Sequence, residues 1–256
     1  MPTYRSITTT SVSQFDILVI PEYEPPKTPI DPFLNAPTLI NYDHSLVSVY
    51  IPTYPSSQFW LSYSISPPYP PKMLYYFKLY IDGRHVVSWG CGEEDGYEGK
   101  TMFGLFDAGP TNSKHPQIER RVLCFGAEHG HGLTSNYLND FVEVKVFRSK
   151  GRKRIAPRLE DYQSLSGKAD ADRNKSQLHS SGNGIKYVPT RMLPGYVNEK
   201  LTIDNSLVNA GLLPARHPRR YYKYALLDPL DHPFATFRYY YRSWGELGYP
   251  SAKLAY

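Results

Sequence analysis

The chain has 256 residues and a formal net charge of +5, and it contains 23 tyrosines, 23 prolines and two cysteines. The length predicts one or two domains, and the composition favours strands and turns over long helices. The longest aliphatic run, Ile17–Ile20, is too short for a transmembrane helix, and the first residues lack the apolar stretch of a secretory signal. Two cysteines exclude a cystine-rich scaffold, so we expect an intracellular protein, cytoplasmic or nuclear, without membrane contact.

The charge is divided unevenly between the two halves of the chain. Residues 1–144 carry 9 Lys/Arg and 15 Asp/Glu, a net −6, whereas residues 145–256 carry 20 and 9, a net +11. A basic second half favours either contact with a polyanion or a flexible segment that neutralises the acidic first half. Composition alone leaves both alternatives open.

Alternating apolar residues predict strands through the first 150 residues. Phe59–Ile65 has a large apolar residue at every second position, as in a half-buried strand. Leu74–Ile81 is apolar and aromatic on both faces, and Asp82-Gly83 then predicts a tight hairpin turn, because Gly accepts a positive φ. The other predicted strands are Phe15–Ile20, Val47–Ile51, Met102–Phe106, Arg121–Phe125 and Phe141–Arg148. In the last of these strands, the valine side is the predicted core face.

Many short strands between Pro- and Gly-rich connections, without a convincing helix, predict a mainly β protein. We expect an antiparallel β-sandwich, jelly-roll-like, over residues 10–150, followed by a polar, largely irregular C-terminal extension. The composition of residues 151–200 predicts a disordered basic and polar linker. Residues 201–250 are expected to hold a short helix at 201–213 and an aromatic, strand-like segment at 234–242 that could pack back on the sandwich.

Three segments carry a resemblance to a known family. They are Tyr76–Gly83, Phe141–Arg148 and Pro233–Ser243, in this order. Together they resemble a family of uncharacterised fungal proteins that have an N-terminal jelly-roll-like domain of unknown function, a polar middle and a C-terminal aromatic F-x-Y-R-S segment. The resemblance spans roughly residues 10–250 and implies a β-sandwich with no established activity. It departs at Gly248–Pro250, where the family pattern implies a more aliphatic ending.

The candidate metal ligands are Glu128, His129 and His131. A His-x-His pair beside a carboxylate can bind a metal ion, but the surrounding glycines predict a loop that does not hold the two rings on one side. No third ligand follows at a recognised spacing. The acidic residues within Glu93–Glu98 match no Ca²⁺-binding loop, so we expect a solvated loop there. We therefore expect no bound metal and no cofactor.

The sequence contains no recognised catalytic motif. There is no G-x-S-x-G nucleophile elbow, no P-loop and no G-x-G-x-x-G that opens a helix. Cys91 and Cys124 are expected to be small buried residues. We therefore expect no catalytic residue, and the chain is more consistent with a binding protein than with an enzyme.

Two basic clusters are the strongest functional signal. The candidate polyanion or nuclear-import contacts are Arg148, Lys150, Arg152, Lys153, Arg154, Arg216, Arg219 and Arg220. Clustered Lys and Arg bind phosphates by charge complementarity, and the second cluster directly precedes Tyr221 and Tyr222. Arginine beside aromatic rings is a common arrangement in proteins that bind single strands. The alternative is a solvated linker without a binding role.

Three functional hypotheses follow from these patterns. The first is a non-enzymatic module in which the sandwich carries the fold and the basic remainder contacts an unknown protein partner or polyanion. The second is association with nucleic acid through the two basic clusters. The third is a metal-dependent jelly-roll enzyme centred on His129 and His131.

Overall fold

The protein is mainly β, as the sequence predicts. In the computed structural model, the described residues are 1–15, 17–25, 38–107, 118–125, 141–155, 163–164, 207–212, 221–242, 244 and 247. The strands in chain order are β1 (Thr3–Tyr4), β2 (Ile7–Ser13), β3 (Ile40–Asn41), β4 (Leu46–Pro52), β5 (Phe59–Ile65), β6 (Leu74–Ile81), β7 (Arg84–Cys91), β8 (Glu98–Thr101), β9 (Phe103–Asp107), β10 (Ile118–Leu123), β11 (Phe141–Ile155), β12 (Gln163–Ser164), β13 (Leu207–Leu212), β14 (Tyr221–Leu226) and β15 (Ala235–Arg242). One 3₁₀ turn, Glu93–Asp95, lies between β7 and β8.

These strands form three sheets. The large sheet has the order β3-β4-β15-β11-β6-β7, and β14 is added to β11. The small sheet has the order β1-β2-β5-β8, and the third sheet has the order β12-β9-β10-β13. The third sheet adjoins the small sheet, because Gln58 and Cys124 form a β-bridge and the rings of Phe59 and Phe125 stack at 4.5 Å.

The large and small sheets face each other as a β-sandwich. Thr9 of β2 and Tyr239 of β15 are hydrogen-bonded across the layers at 2.6 Å. The rings of Tyr63 and Phe77 also meet across the layers, with centroids 4.8 Å apart. Every second residue of each central strand is buried between the sheets, where the loss of water from apolar surface stabilises the fold. The predicted valine face of β11 is part of this core, confirming that expectation: Val142, Val144 and Val146.

The turn after β6 has the predicted conformation. Asp82 and Gly83 both have positive φ, 48° and 78°, which matches the twist of the flanking strands. The strands β5 and β6 also have the predicted bounds. Alternation and turn chemistry therefore predicted this half of the sandwich correctly.

Four expectations differ from the structure. Phe15–Ile20 is not a strand: Ile17 has a positive φ and Val19 makes an isolated bridge to Val12, because the chain reverses there to pair with β2. Leu207–Leu212 is a strand where a short helix was expected, because pairing with β10 outweighs the local capping signal.

The predicted linker at 151–200 begins inside a strand, since β11 continues to Ile155. The pairing is mixed, because β4–β15 and β12–β9 are parallel.

The aromatic segment near the end of the chain becomes a central strand. β15 lies between β4 and β11, parallel to the first and antiparallel to the second. Its inner residues, Ala235, Phe237, Tyr239 and Tyr241, belong to the core. The large sheet is therefore continuous only when residues from both ends of the chain are present, and residues 10–150 do not contain all of its strands.

Candidate functional site

The first basic cluster lies on an ordered two-stranded ribbon. Beyond a bulge between Ser149 and Arg152, β11 leaves β6 and pairs only with β14. The buried Ser149 fixes this bulge, because its hydroxyl lies 2.8 Å from the carbonyl oxygen of Gly151 and 3.0 Å from that of Ala225. We call residues 150–155 together with β14 the basic ribbon.

The two sides of the basic ribbon carry different side chains. Arg152 lies opposite Tyr224, and Arg154 lies opposite Tyr222. Directly opposed residues project to the same side of a pair of strands, so two arginines and two tyrosines share one side, the Arg–Tyr side. Lys153 lies opposite Lys223 and projects to the other side, the lysine side.

Stacking holds the basic ribbon against the outer face of the large sheet, the face turned away from the core. The ring of Tyr224 stacks on that of Tyr76 in β6, with centroids 4.4 Å apart. A Cβ built at Gly90 of β7 would stand 2.2 Å from the Tyr224 hydroxyl oxygen, so only glycine admits this approach. Burial raises the pKa of Tyr224, and the phenol accordingly stays protonated.

Arg152 has three described partners on this side. Its guanidinium lies 4.5 Å from the Tyr222 ring centroid, a cation–π distance. Its Nη2 donates to Glu94 of the 3₁₀ turn at 2.6 Å, and it forms a side-chain hydrogen bond with Tyr224. The Arg152 side chain is 19% exposed and that of Glu94 is 79% exposed, so this ion pair lies at the surface.

Arg148 has a structural role that the sequence did not indicate. Its Nη2 donates to Asp228 at 2.6 Å and its Nε donates to the same carboxylate at 3.1 Å, while its backbone N–H donates to the second oxygen at 2.7 Å. The guanidinium also lies 4.5 Å from the ring centroid of Phe234. Arg148 thus anchors the connection between β14 and β15, and its charge is already matched by a buried carboxylate.

The remaining cations of the first cluster point to solvent. Lys150, Lys153 and Arg154 are exposed, and within the described residues no carboxylate pairs with them. Arg216, Arg219 and Arg220 of the second cluster lie outside the described residues. In the sequence they directly precede Tyr221, the first residue of β14. β14 therefore follows the second cluster directly in the sequence and pairs with β11, the strand that carries the first cluster.

A second cationic surface continues from the ribbon across the large sheet. On β6 and β15 the outer-face residues alternate between rings and cations. Several cations of the sheet lie over rings: Lys78 near Tyr76 and Phe147, Lys145 over Tyr80, Arg238 over Phe141, and Arg242 over Tyr50. Sequence reasoning missed this surface. Reading every second residue of β6 and β15 separately would have indicated it, since Tyr76, Lys78 and Tyr80 share one face.

The predicted metal ligands lie in a part of the chain that the structure does not describe. Glu128, His129 and His131 lie outside the described residues. Among the residues that are described, no three His, Cys, Asp or Glu side chains are grouped so that they could hold a metal ion. In the acidic loop, Asp95 accepts a hydrogen bond from the Gly92 N–H at 3.1 Å, so this carboxylate stabilises the turn.

Both cysteines are buried free thiols. Burial, with Asp95 and Glu98 nearby, raises the pKa of Cys91 to about 12, and burial also raises the pKa of Cys124. A thiol that stays protonated at pH 7 is a weak nucleophile. These two groups therefore act as apolar core residues, and neither indicates nucleophilic catalysis.

Comparison with known proteins gives no relative for this chain. No family model, no curated protein and no solved structure matches it. The resemblance to a fungal family therefore stays a prediction. Within the described ranges, no helix has the length and apolar character needed to cross a bilayer.

Proposed function

We propose that this protein is a non-enzymatic binding module that takes single-stranded nucleic acid on the Arg–Tyr side of the basic ribbon. The observation that supports the proposal is the register of β11 and β14, which puts Arg152 and Arg154 directly beside Tyr224 and Tyr222. Arginine supplies charge for phosphates, and tyrosine supplies a flat ring for unpaired bases.

Each residue of the Arg–Tyr side has a distinct role in this proposal. Arg154 is exposed and binds a backbone phosphate. Tyr222 is partly exposed, and together with the Arg152 guanidinium at 4.5 Å it forms a stacking surface for a base. Tyr224 positions the ribbon through its stack on Tyr76.

Unpaired bases are needed for this type of recognition. Tyrosine stacks on a base only when the base is not covered by its neighbours in a duplex. A duplex would therefore contact the arginines alone and bind more weakly than a single strand of the same charge density. An acidic protein segment would likewise use the arginines but not the ring of Tyr222.

Fluorescence anisotropy with a labelled 20-nucleotide single strand tests the proposal. The double variant Arg152→Ala/Arg154→Ala should weaken binding at least tenfold, and it should lower the slope of log affinity against log salt by about 0.7, the value for the one single-strand phosphate contact assigned to Arg154. Lys153→Ala/Lys223→Ala is the matched control, because it removes the same charge from the opposite side of the same ribbon. Equal loss in both double variants would mean that net charge alone drives binding, and would contradict the proposal.

The stacking role is tested separately at Tyr222. Tyr222→Ala should weaken binding by about 1–3 kcal/mol, the usual value for one stacked base, whereas Tyr222→Phe should bind as the parent does. Tyr42→Ala is the control, because Tyr42 is 72% exposed and lies on the turn between β3 and β4. Tighter binding of a duplex or of poly-glutamate than of the single strand would refute the proposed ligand class.

A further inference from the structure

Two lysines face each other on the outer face of the large sheet. Lys78 of β6 and Lys145 of β11 are directly paired in the antiparallel register. Side chains at such positions have Cβ atoms about 4.5–5.5 Å apart and project to the same side. The core on the opposite face is formed by their neighbours Phe77, Leu79 and Val144, so both ammonium groups lie away from the core.

Glu143, the carboxylate next to this lysine pair, is hydrogen-bonded mainly to a different cation, Arg238. Glu143 is 5% exposed and accepts two hydrogen bonds from Arg238, at 2.8 Å and 2.5 Å. Its other oxygen lies 3.2 Å from the Lys145 ammonium. Within the described residues, no carboxylate is paired with Lys78. Two cations, Arg238 and Lys145, therefore pair with one buried carboxylate, and Lys78 opposite Lys145 adds a third positive charge, which leaves an excess of positive charge on this part of the sheet.

Folding alone does not account for this excess. Like charges directly opposite each other in a sheet are destabilising, and an apolar pair would pack better at the same positions. Burial lowers the pKa of Lys78, and the charge of Lys145 lowers it further. Both effects raise the free energy of the charged Lys78 ammonium group in the folded protein. His85 adds no charge near neutral pH, because burial and Lys78 lower the pKa of its imidazole.

Aromatic rings border the two ammonium groups. The Lys78 Nζ lies 5.9 Å from the ring centroids of Tyr76 and Phe147, and the Lys145 Nζ lies 5.1 Å from that of Tyr80. Both lysines and both tyrosines are partly exposed. A ligand that joins an anionic group to a flat ring matches this surface in charge and in shape.

We propose that Lys78 and Lys145 form a phosphate-binding site, with Tyr80 beside it for the base of the same nucleotide. This site adjoins the ribbon, because Tyr224 stacks on Tyr76 next to Lys78, but it uses neither arginine of the Arg–Tyr side and goes beyond the function proposed above. The phosphate belongs either to a free nucleotide or to a nucleic-acid strand, and both present the same anionic oxygens.

Thermal unfolding with and without ligand tests this site. Lys78→Met should raise the melting temperature in chloride buffer, because like-charge repulsion is removed, and should weaken phosphate binding about tenfold or more. Lys145→Met should weaken phosphate binding to a similar extent. Lys100→Met is the matched control, since Lys100 on the small sheet also lies over a ring, that of Trp60, at 6.0 Å. This control should keep the full response to phosphate.

Three ligands separate the possible sources of the phosphate. Inorganic phosphate, AMP and a short single strand are each compared with chloride at equal ionic strength. A larger stabilisation by AMP than by phosphate indicates a free nucleotide, and stabilisation that requires the single strand indicates a nucleic-acid phosphate. The wild type must show a phosphate-specific gain in one of these arms, and Lys78→Met must lose it. Absence of any gain, or an unchanged gain in Lys78→Met, would overturn the proposal.

The test is independent of the ribbon. The Arg152→Ala/Arg154→Ala variant leaves Lys78 and Lys145 in place, so it should keep the response to phosphate and AMP. If this variant and the wild type respond alike while neither binds oligonucleotide, the ribbon proposal fails and the sheet site stands. If the wild type binds oligonucleotide but Lys78→Met still responds fully to phosphate and AMP, the sheet site fails and the ribbon proposal stands.

Discussion

Replacement of Gly90 by alanine is the sharpest test of how the basic ribbon is held on the sheet. The new Cβ would stand 2.2 Å from the Tyr224 hydroxyl oxygen and 2.7 Å from its Cζ, so the ring must move. Movement breaks the stack on Tyr76, worth about 0.5–1.5 kcal/mol, and the hydrogen bond to Arg152, worth about 1 kcal/mol. We expect Gly90→Ala to lower the free energy of unfolding by about 2 kcal/mol.

Urea denaturation followed by circular dichroism measures this change, and Gly151→Ala provides the control. A Cβ at Gly151 meets nothing within 4 Å, so this variant should be neutral or slightly stabilised through the unfolded state. In a Tyr224→Ala background, Gly90→Ala should cost almost nothing, because the clashing ring is absent. Equal stability of Gly90→Ala and Gly151→Ala, with equal oligonucleotide affinity, would refute the described position of Tyr224.

Three further predictions concern charged groups near the ribbon and the outer face. Asp228→Asn should lower the free energy of unfolding by about 2 kcal/mol, because the buried carboxylate that binds Arg148 loses its charge. Urea denaturation measures this change, and a loss below about 0.5 kcal/mol, the usual scatter of surface variants, would contradict the anchoring role. Glu94→Gln should tighten oligonucleotide binding up to about fivefold at low salt, because it releases Arg152 from an exposed ion pair. Weaker binding in an anisotropy titration would show that Glu94 positions the arginine instead. The pKa of His85 is lowered to about 4, so its neutral form should stabilise the fold fully above pH 6.5 and progressively less as the pH falls towards 4. An NMR titration of the imidazole checks this, and a midpoint near 6.5 would contradict it.

The elements that the sequence predicted well are those in which local pattern and tertiary role agree. β6 and the Asp82-Gly83 turn follow from alternation and from the need for positive φ, and both have their expected positions. β2 was missed, because its threonines and serines are polar although Thr9 and Ser11 are buried. Burial of these hydroxyl groups depends on the opposite layer, which no local pattern reveals.

The candidate site could be predicted in composition but not in arrangement. The density of Lys and Arg at Arg148–Arg154 indicated a cationic segment, but the strong local charge suggested a solvated linker instead of a strand. The pairing of Arg152 with Tyr224 joins residues that lie far apart in the sequence, and it depends on a bulge at Ser149. Arg148 belongs to the same basic run, but it is paired with Asp228 whereas Arg154 is exposed, and this contrast depends on the tertiary structure.

The position of β15 has a consequence for biosynthesis. Because Ala235–Arg242 fills the gap between β4 and β11, the interior of the large sheet stays incomplete until the ribosome has added residues 235–242, almost 200 residues after β4. Until then, β4 offers an unpaired backbone edge and an apolar face that includes Val47 and Ile51. A nascent or prematurely terminated chain would therefore depend on chaperones to avoid aggregation at that edge.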